Sequence, residues 1–123
     1  MTREEMLKRL KAGEDPLDLS IEKWRNVVKH LYKITRFEEY DWEVEMGACN
    51  CALCFVYARY KCNGCPIKKA TGYGSCNKTP YESFREARMD KNLEGMRKAA
   101  IAELKFLKSL KKQKRIDKPK IVW

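Results

Sequence analysis

All six cysteines of this 123-residue chain fall between Cys49 and Cys76. No other feature of the sequence restricts the fold as tightly. The run reads C-N-C-A-L-C, then seven residues, then C-N-G-C-P, with ten residues between Cys65 and Cys76. Cys51/Cys54 and Cys62/Cys65 are C-x-x-C pairs. In such a pair one tight turn aims two thiolates at a single soft, tetrahedral ion, with Zn–S distances of about 2.3 Å. Asn63-Gly64, inside the second pair, is a turn-forming dipeptide. Residues 48–79 hold five basic and no acidic side chains. Nearby cations lower thiol pKa and help to carry the charge of a thiolate-rich site. The stretch reads as a knot stapled by metal or by disulfides.

For a metal, the spacing favours Cys51, Cys54, Cys62 and Cys65 around one Zn²⁺ ion. Cys76, close to a helix start at Thr79, is the natural substitute for any of them. Cys49 is the weakest candidate, because a C-x-C bite is less common than C-x-x-C. The seven-residue spacer is shorter than the 15–20 of an ordinary C-x-x-C ribbon, yet it can close a small loop. Besides a thioredoxin-type catalytic thiol pair, for which the chain lacks the βαβ context, two alternatives stay open. One is no metal, with the cysteines in disulfides. The other is an iron–sulfur cluster: Cys65-Pro66 matches the end of a ferredoxin run, although the C-x2-C-x2-C spacing is absent. His30, the single histidine, lies 19 residues before Cys49 on a charged helix. It reads as a surface or satisfied histidine rather than a ligand.

A chain of this length is expected to form one domain. With 44% hydrophobic and 36% charged residues, it can bury a modest core. No run approaches the ~20 apolar residues of a membrane span. The opening Met-Thr-Arg-Glu-Glu lacks the basic-then-apolar order of a signal peptide, so an intracellular protein is the expectation. In a reducing cytosol, clustered cysteines mean metal more often than disulfides. The net charge of +10 is uneven. Residues 1–47 carry nine basic and eleven acidic groups, and residues 80–123 carry thirteen and six. A basic C-terminal half points to an acidic partner, DNA or RNA being the commonest; the plain alternative is a solvated surface.

The periodicities predict a mainly α fold: a small helical domain of about four helices around a zinc-knuckle-like cysteine loop, with a short β-hairpin as an option. The domain covers residues 1–112 with the cysteine-rich insert at 49–76, and 113–123 form a basic tail. A first helix is predicted over Thr2 to Ala12, capped by Thr2 and Glu5 and ended by Gly13. Glu14-Asp15-Pro16 is read as a break. A second helix is predicted from Ser20 to Arg36, capped by Ser20 or Asp18, with Ile21, Trp24, Val28, Leu31 and Tyr32 on its apolar stripe. Phe37 to Met46 alternates in period two and reads as a short half-buried strand or an irregular acidic segment. Phe55 to Tyr60 is read as a strand or one to two helical turns, and Gly72-Tyr73-Gly74 as a loop. Thr79-Pro80-Tyr81-Glu82 is the clearest helix start, for a helix to Met89 with a break at Asp90-Lys91-Asn92. The last helix, Leu93 to Lys112, places Leu93, Met96, Ala100, Leu104 and Leu107 on one face, with Ile101 and Leu110 beside it.

Five pieces recur here in a linked order: D-P-L-D-L-S-I-E-K-W at 15–24, N-C-A-L-C at 50–54, C-N-G-C-P-I at 62–67, C-N-K-T-P-Y at 76–81 and A-E-L-K-F-L-K-S-L at 102–110. Together they resemble a group of small cysteine-rich proteins of phages, archaeal viruses and their prokaryotic hosts. The resemblance spans about residues 15 to 110. It implies that Cys51, Cys54, Cys62, Cys65 and Cys76 belong to the recurring pattern and that Cys49 is an extra. It also implies a viral or mobile-element origin, and then a host-cytoplasmic location. The group has no assigned activity, so the resemblance adds no catalytic residue.

Two function classes follow. The first is a small metal-stabilised module that binds nucleic acid. Lys68, Lys69 and Lys78 around the knot, with Lys108, Lys111, Lys112, Lys114 and Arg115 near the C-terminus, would contact phosphates, and Tyr57, Tyr60 and Tyr73 would stack on unpaired bases. The second is a protein-interaction or assembly module with a disulfide-stapled cluster, a homo-oligomer through the C-terminal helix and no nucleic-acid role. An enzyme is not expected. There is no Ser-His-Asp set, phosphate-loop motif, H-E-x-x-H or deaminase signature, and one histidine limits acid–base chemistry.

Overall fold

Proline marks the start of three helices. In the computed structural model, which describes residues 3–41, 51–57, 65–72 and 79–111, α2 (Pro16–Lys33), α4 (Pro66–Thr71) and α5 (Pro80–Met89) each have proline at the first helical position. That position needs no N–H, and proline's fixed φ already suits a helix. The remaining helices are α1 (Arg3–Lys11), α3 (Cys51–Tyr57) and α6 (Leu93–Lys111), with a 3₁₀ turn at Phe37–Glu39. The fold is mainly α, and the described residues contain no strand.

Gly13 ends α1 as its sequence position predicts. It sits at φ +93. Its N–H donates to the Leu10 carbonyl at 3.0 Å, and that of Glu14 to Arg9 at 3.1 Å, the paired bonds of a Schellman cap. Asp15-Pro16 is a correction. It starts α2 rather than breaking the chain, because the Asp15 carboxylate accepts the Leu17 N–H at 2.8 Å and so caps the helix. Ser20 is consequently a buried mid-helix residue rather than a cap. α2 ends at Lys33, three residues before the expected Arg36, where Ile34 turns extended.

The core is one cluster. α2 and α5 pack on α6, α3 packs on α2, and α4 touches α6. Trp24 is fully buried at its centre, edge-on to Phe84 at 5.1 Å and to Tyr81 at 5.9 Å. Such edge-to-face pairs add about 0.5–1.5 kcal/mol each beyond area burial. Ile21 and Leu31 are buried as expected. Val27 is fully buried, Val28 is half-buried and Tyr32 is exposed, so the stripe is rotated by one residue from the predicted one. On α6, Met96, Ala100, Leu107 and Leu110 are buried, while Leu93, Ile101 and Leu104 are half-buried.

α2 and α6 run antiparallel, as their end contacts show. Arg97, near the start of α6, donates to the Leu31 carbonyl at 2.9 Å and the Ile34 carbonyl at 2.7 Å, closing the C-terminus of α2. Lys111, at the end of α6, pairs with Asp18 in the first turn of α2. α5 and α6 form a hairpin. Its hinge is the expected Asp90-Lys91-Asn92, with Lys91 left-handed at φ 54. The Asn92 side chain accepts the Gly95 N–H at 3.0 Å and caps α6.

The predicted strand is not found where it can be checked. Phe37–Glu39 is a 3₁₀ turn, and Tyr40 is buried against the core while Asp41 is exposed. The alternation from Trp42 to Met46, the Thr2 cap and the basic tail lie outside the described residues.

Candidate metal centre and nucleic-acid interface

The cysteine stretch supplies two short helices. α3 begins at Cys51, so Cys51 and Cys54 are one helical turn apart along the backbone rather than on an isolated tight turn. The helix forms because Ala52, Leu53, Val56 and Tyr57 bury one face, and that face lies on α2. α4 was not evident from sequence periodicity, since six residues are too few to display a period. It is set by its ends. Cys65 is the extended N-cap residue, Pro66 follows, and Gly72 closes the helix at φ +79 with its N–H 2.7 Å from the Lys68 carbonyl.

Cys65 is buried, at 7% exposure. It sits near Tyr57, the last residue of α3. Burial pushes the Tyr57 hydroxyl up to about 12, reinforced by the nearby Cys65 thiol and Asp15 carboxyl. Tyr57 and Cys65 belong to one buried cluster, so the end of α3 and the start of α4 join the same core. The structure brings the first C-x-x-C helix and the last cysteine of the second pair onto one core. The side chains of Cys51 and Cys54, and all of Cys49, Cys62 and Cys76, lie outside what is described. Among the described residues no group of three or more His, Cys, Asp or Glu is placed to hold a metal. His30 has another role. Its Nε2 accepts the Asp41 N–H at 2.9 Å, and its ring lies 5.6 Å from that of Tyr40.

Of the basic candidates, Lys68 is half-buried and Lys69 exposed on α4, and Lys108 and Lys111 are exposed at the end of α6. Lys78, Lys112, Lys114 and Arg115 lie outside the described residues. Tyr57 is buried at 4% exposure. It is a core residue, a correction to its predicted role as a stacking platform. Lys108 and Lys111 line a cleft of about 570 Å³ together with Arg9 and Arg25. Neither arginine carried a signal in the sequence, because only the packing of α1, α2 and α6 places them there.

A second unforeseen feature lies in the core. Glu103 is fully buried on α6. Its Oε2 accepts from Thr79 Oγ1 at 3.4 Å, while Oε1, like the buried Ser20 Oγ, has no hydrogen-bond partner. Burial pushes its carboxyl up to about 7, against hydrogen bonds from Thr79 and the Tyr81 backbone and the attraction of Lys23. Lys23 is itself buried, its Nζ 5.3 Å from the centre of the Trp24 ring. The signal was present in A-E-L-K-F-L, where Glu103 falls between Ala100 and Leu107 on the apolar stripe.

No protein-family model, curated protein or solved structure matches the chain.

Proposed function

We propose that the protein is a small module whose fold is completed by one Zn²⁺ and which binds nucleic acid rather than catalysing a reaction. Four thiolates drawn from Cys51, Cys54, Cys62, Cys65 and Cys76 hold the ion, with Cys49 an extra. The observation that carries the reading is the convergence of α3 and buried Cys65 on one core. Two further features support it: no carboxylate lies in 48–79 to compete as a hard ligand, and five basic residues offset thiolate charge. The zinc acts structurally, so its binding energy appears as folding stability. The module belongs to a reducing intracellular compartment, and its resemblance to phage and archaeal-virus proteins suggests the host cytoplasm. Among the described residues no helix is long and apolar enough to cross a membrane.

An assembly role through α6 has less support. Met96, Ala99, Ala100, Leu107 and Leu110 are already buried within the chain, which leaves the half-buried Leu93, Ile101, Leu104 and Phe106 as the apolar side chains α6 could offer a partner.

Elemental mass spectrometry on reduced, untagged protein, with thiols counted before and after denaturation, tests the metal. About one zinc per chain is the expected outcome. Iron with visible absorbance moves the protein to the iron–sulfur class. No metal and few free thiols would overturn the reading in favour of disulfides.

A further inference from the structure

The cleft where α1, the first turns of α2 and the last turns of α6 meet is lined by four cations, Arg9, Arg25, Lys108 and Lys111, and two carboxylates, Asp18 and Glu22. The carboxylates are already engaged. Arg9 pairs with Glu22 and, at 2.7 Å, with Glu14. Lys111 pairs with Asp18. The arginine is thereby fixed against one wall, half-buried, with its charge largely balanced. Arg25 and Lys108 are exposed and have no acidic partner among the described residues. The cleft thus presents two cations without an acidic partner among the described residues, Arg25 from α2 and Lys108 from α6, and a third, Lys111, on an exposed ion pair. Exposed pairs of this kind are worth about 0–1 kcal/mol, so an incoming anion can displace Asp18 at little cost. The volume falls within the ~300–1,000 Å³ of small-ligand pockets. It suits one or two nucleotides of a flexible strand, not the broad face of a duplex.

We propose that this cleft is a phosphate-binding subsite for single-stranded nucleic acid, with Arg25 and Lys108 as its standing cations and Lys111 recruited from Asp18 on binding. The proposal rests on the nucleic-acid reading above and narrows it. The cationic ground at the C-terminus includes two residues of the acidic N-terminal half. Asp18 acts as an internal competitor for the ligand.

Fluorescence anisotropy of a labelled oligo-dT strand with the full-length protein, between 50 and 200 mM salt, tests it. Two variants are compared with the wild type: R25A/K108A and D18N. Removing two phosphate contacts is expected to weaken binding about ten-fold and to reduce the salt slope by about 1.4, since each contact to a single strand contributes about 0.7. D18N is expected to bind about three-fold tighter, a gain that misfolding would not produce. If the wild type binds with a steep salt dependence but R25A/K108A and D18N both match it, the cleft proposal is overturned and the nucleic-acid reading stands. Preference for duplex over oligo-dT overturns the single-strand assignment. No salt-dependent binding to either strand type overturns the nucleic-acid reading and the cleft with it.

Discussion

Three side chains sit where their chemistry is least at ease, and each leads to a measurable outcome. Lys91 closes the α5–α6 hinge in the left-handed region at φ 54. It holds the Schellman bonds from Lys91 N–H to Arg88 and from Asn92 N–H to Ala87, at 3.1 and 2.8 Å. A side chain there costs about 1–2 kcal/mol that glycine avoids. Lys91→Gly should therefore raise the unfolding free energy by about 0.5–1 kcal/mol after glycine's entropic cost, read as a higher urea midpoint with the denaturant slope unchanged. Arg97 contributes two charged hydrogen bonds to the end of α2. Arg97→Ala should cost about 2–3 kcal/mol in equilibrium unfolding. Arg97→Lys should recover less than half of this, because an ammonium lacks the fork that spans two carbonyls. Equal stability of the lysine variant and the wild type would show that charge at the helix terminus, not geometry, carries the effect. Glu103 binds its proton more tightly folded, near 7, than unfolded, near 4.5. Its contribution is full below about pH 4.5 and fades as pH rises to about 7. Over that window the wild type should lose about 3 kcal/mol relative to Glu103→Gln, which does not titrate. A difference between the two that stays constant with pH would sink this assignment.

At the scale of elements, the organising device is the capped proline start. Asp15-Pro16, Cys65-Pro66 and Thr79-Pro80 place an extended residue before a proline fixed at a helical φ. The caps are not equivalent. Asp15 only accepts the Leu17 N–H. Thr79 accepts the Tyr81 N–H at 3.3 Å and also donates to buried Glu103. Asp15→Ala should cost about 1 kcal/mol. Thr79→Ala should cost about 2 kcal/mol or more, because it removes a partner from a buried carboxyl as well as a cap, and Thr79→Ser should restore most of it. Thermal unfolding of the three variants separates the two roles. Cys65 differs again. It caps α4 without a side-chain cap hydrogen bond.

For the molecule as a whole, the described helices bury one cluster around Trp24, and α3 and α4 join it from the cysteine stretch. If zinc completes that stretch, stability must follow free zinc by mass action. Each ten-fold rise in zinc above the dissociation constant should add about 1.4 kcal/mol until the unfolded thiols also bind. The melting temperature of full-length protein, read across zinc buffers and after chelation, checks this. A melting temperature indifferent to zinc would remove the metal from the folding account. The same scale explains how an acidic N-terminal half and a basic C-terminal half coexist in one module. Antiparallel α2 and α6 bring Asp18 to Lys111, the packing of α1 on α2 brings Arg9 to Glu22, and Arg25 and Lys108 are left over.

The chain's local signals were legible because they depend on neighbours in sequence. Gly13, Thr79-Pro80 and the Asp90–Asn92 hinge stand where their residue types place them, and the apolar period of α6 spans nearly the predicted length. Asp15-Pro16 misled for a local reason too: the pair that ends one helix also begins another, and only the Leu17 N–H decides between them. What tertiary structure alone decided are the contacts between residues far apart in the chain. Glu103 with Thr79 and Lys23, Arg97 on the Leu31 and Ile34 carbonyls, Cys65 in one core with Tyr57, and Arg9 and Arg25 lining a cleft with Lys108 all arise from the packing of the helices. No period or capping box encodes such meetings, because the burial that shifts a carboxyl and the field that gathers cations are properties of the packed core and surface, not of any single helix.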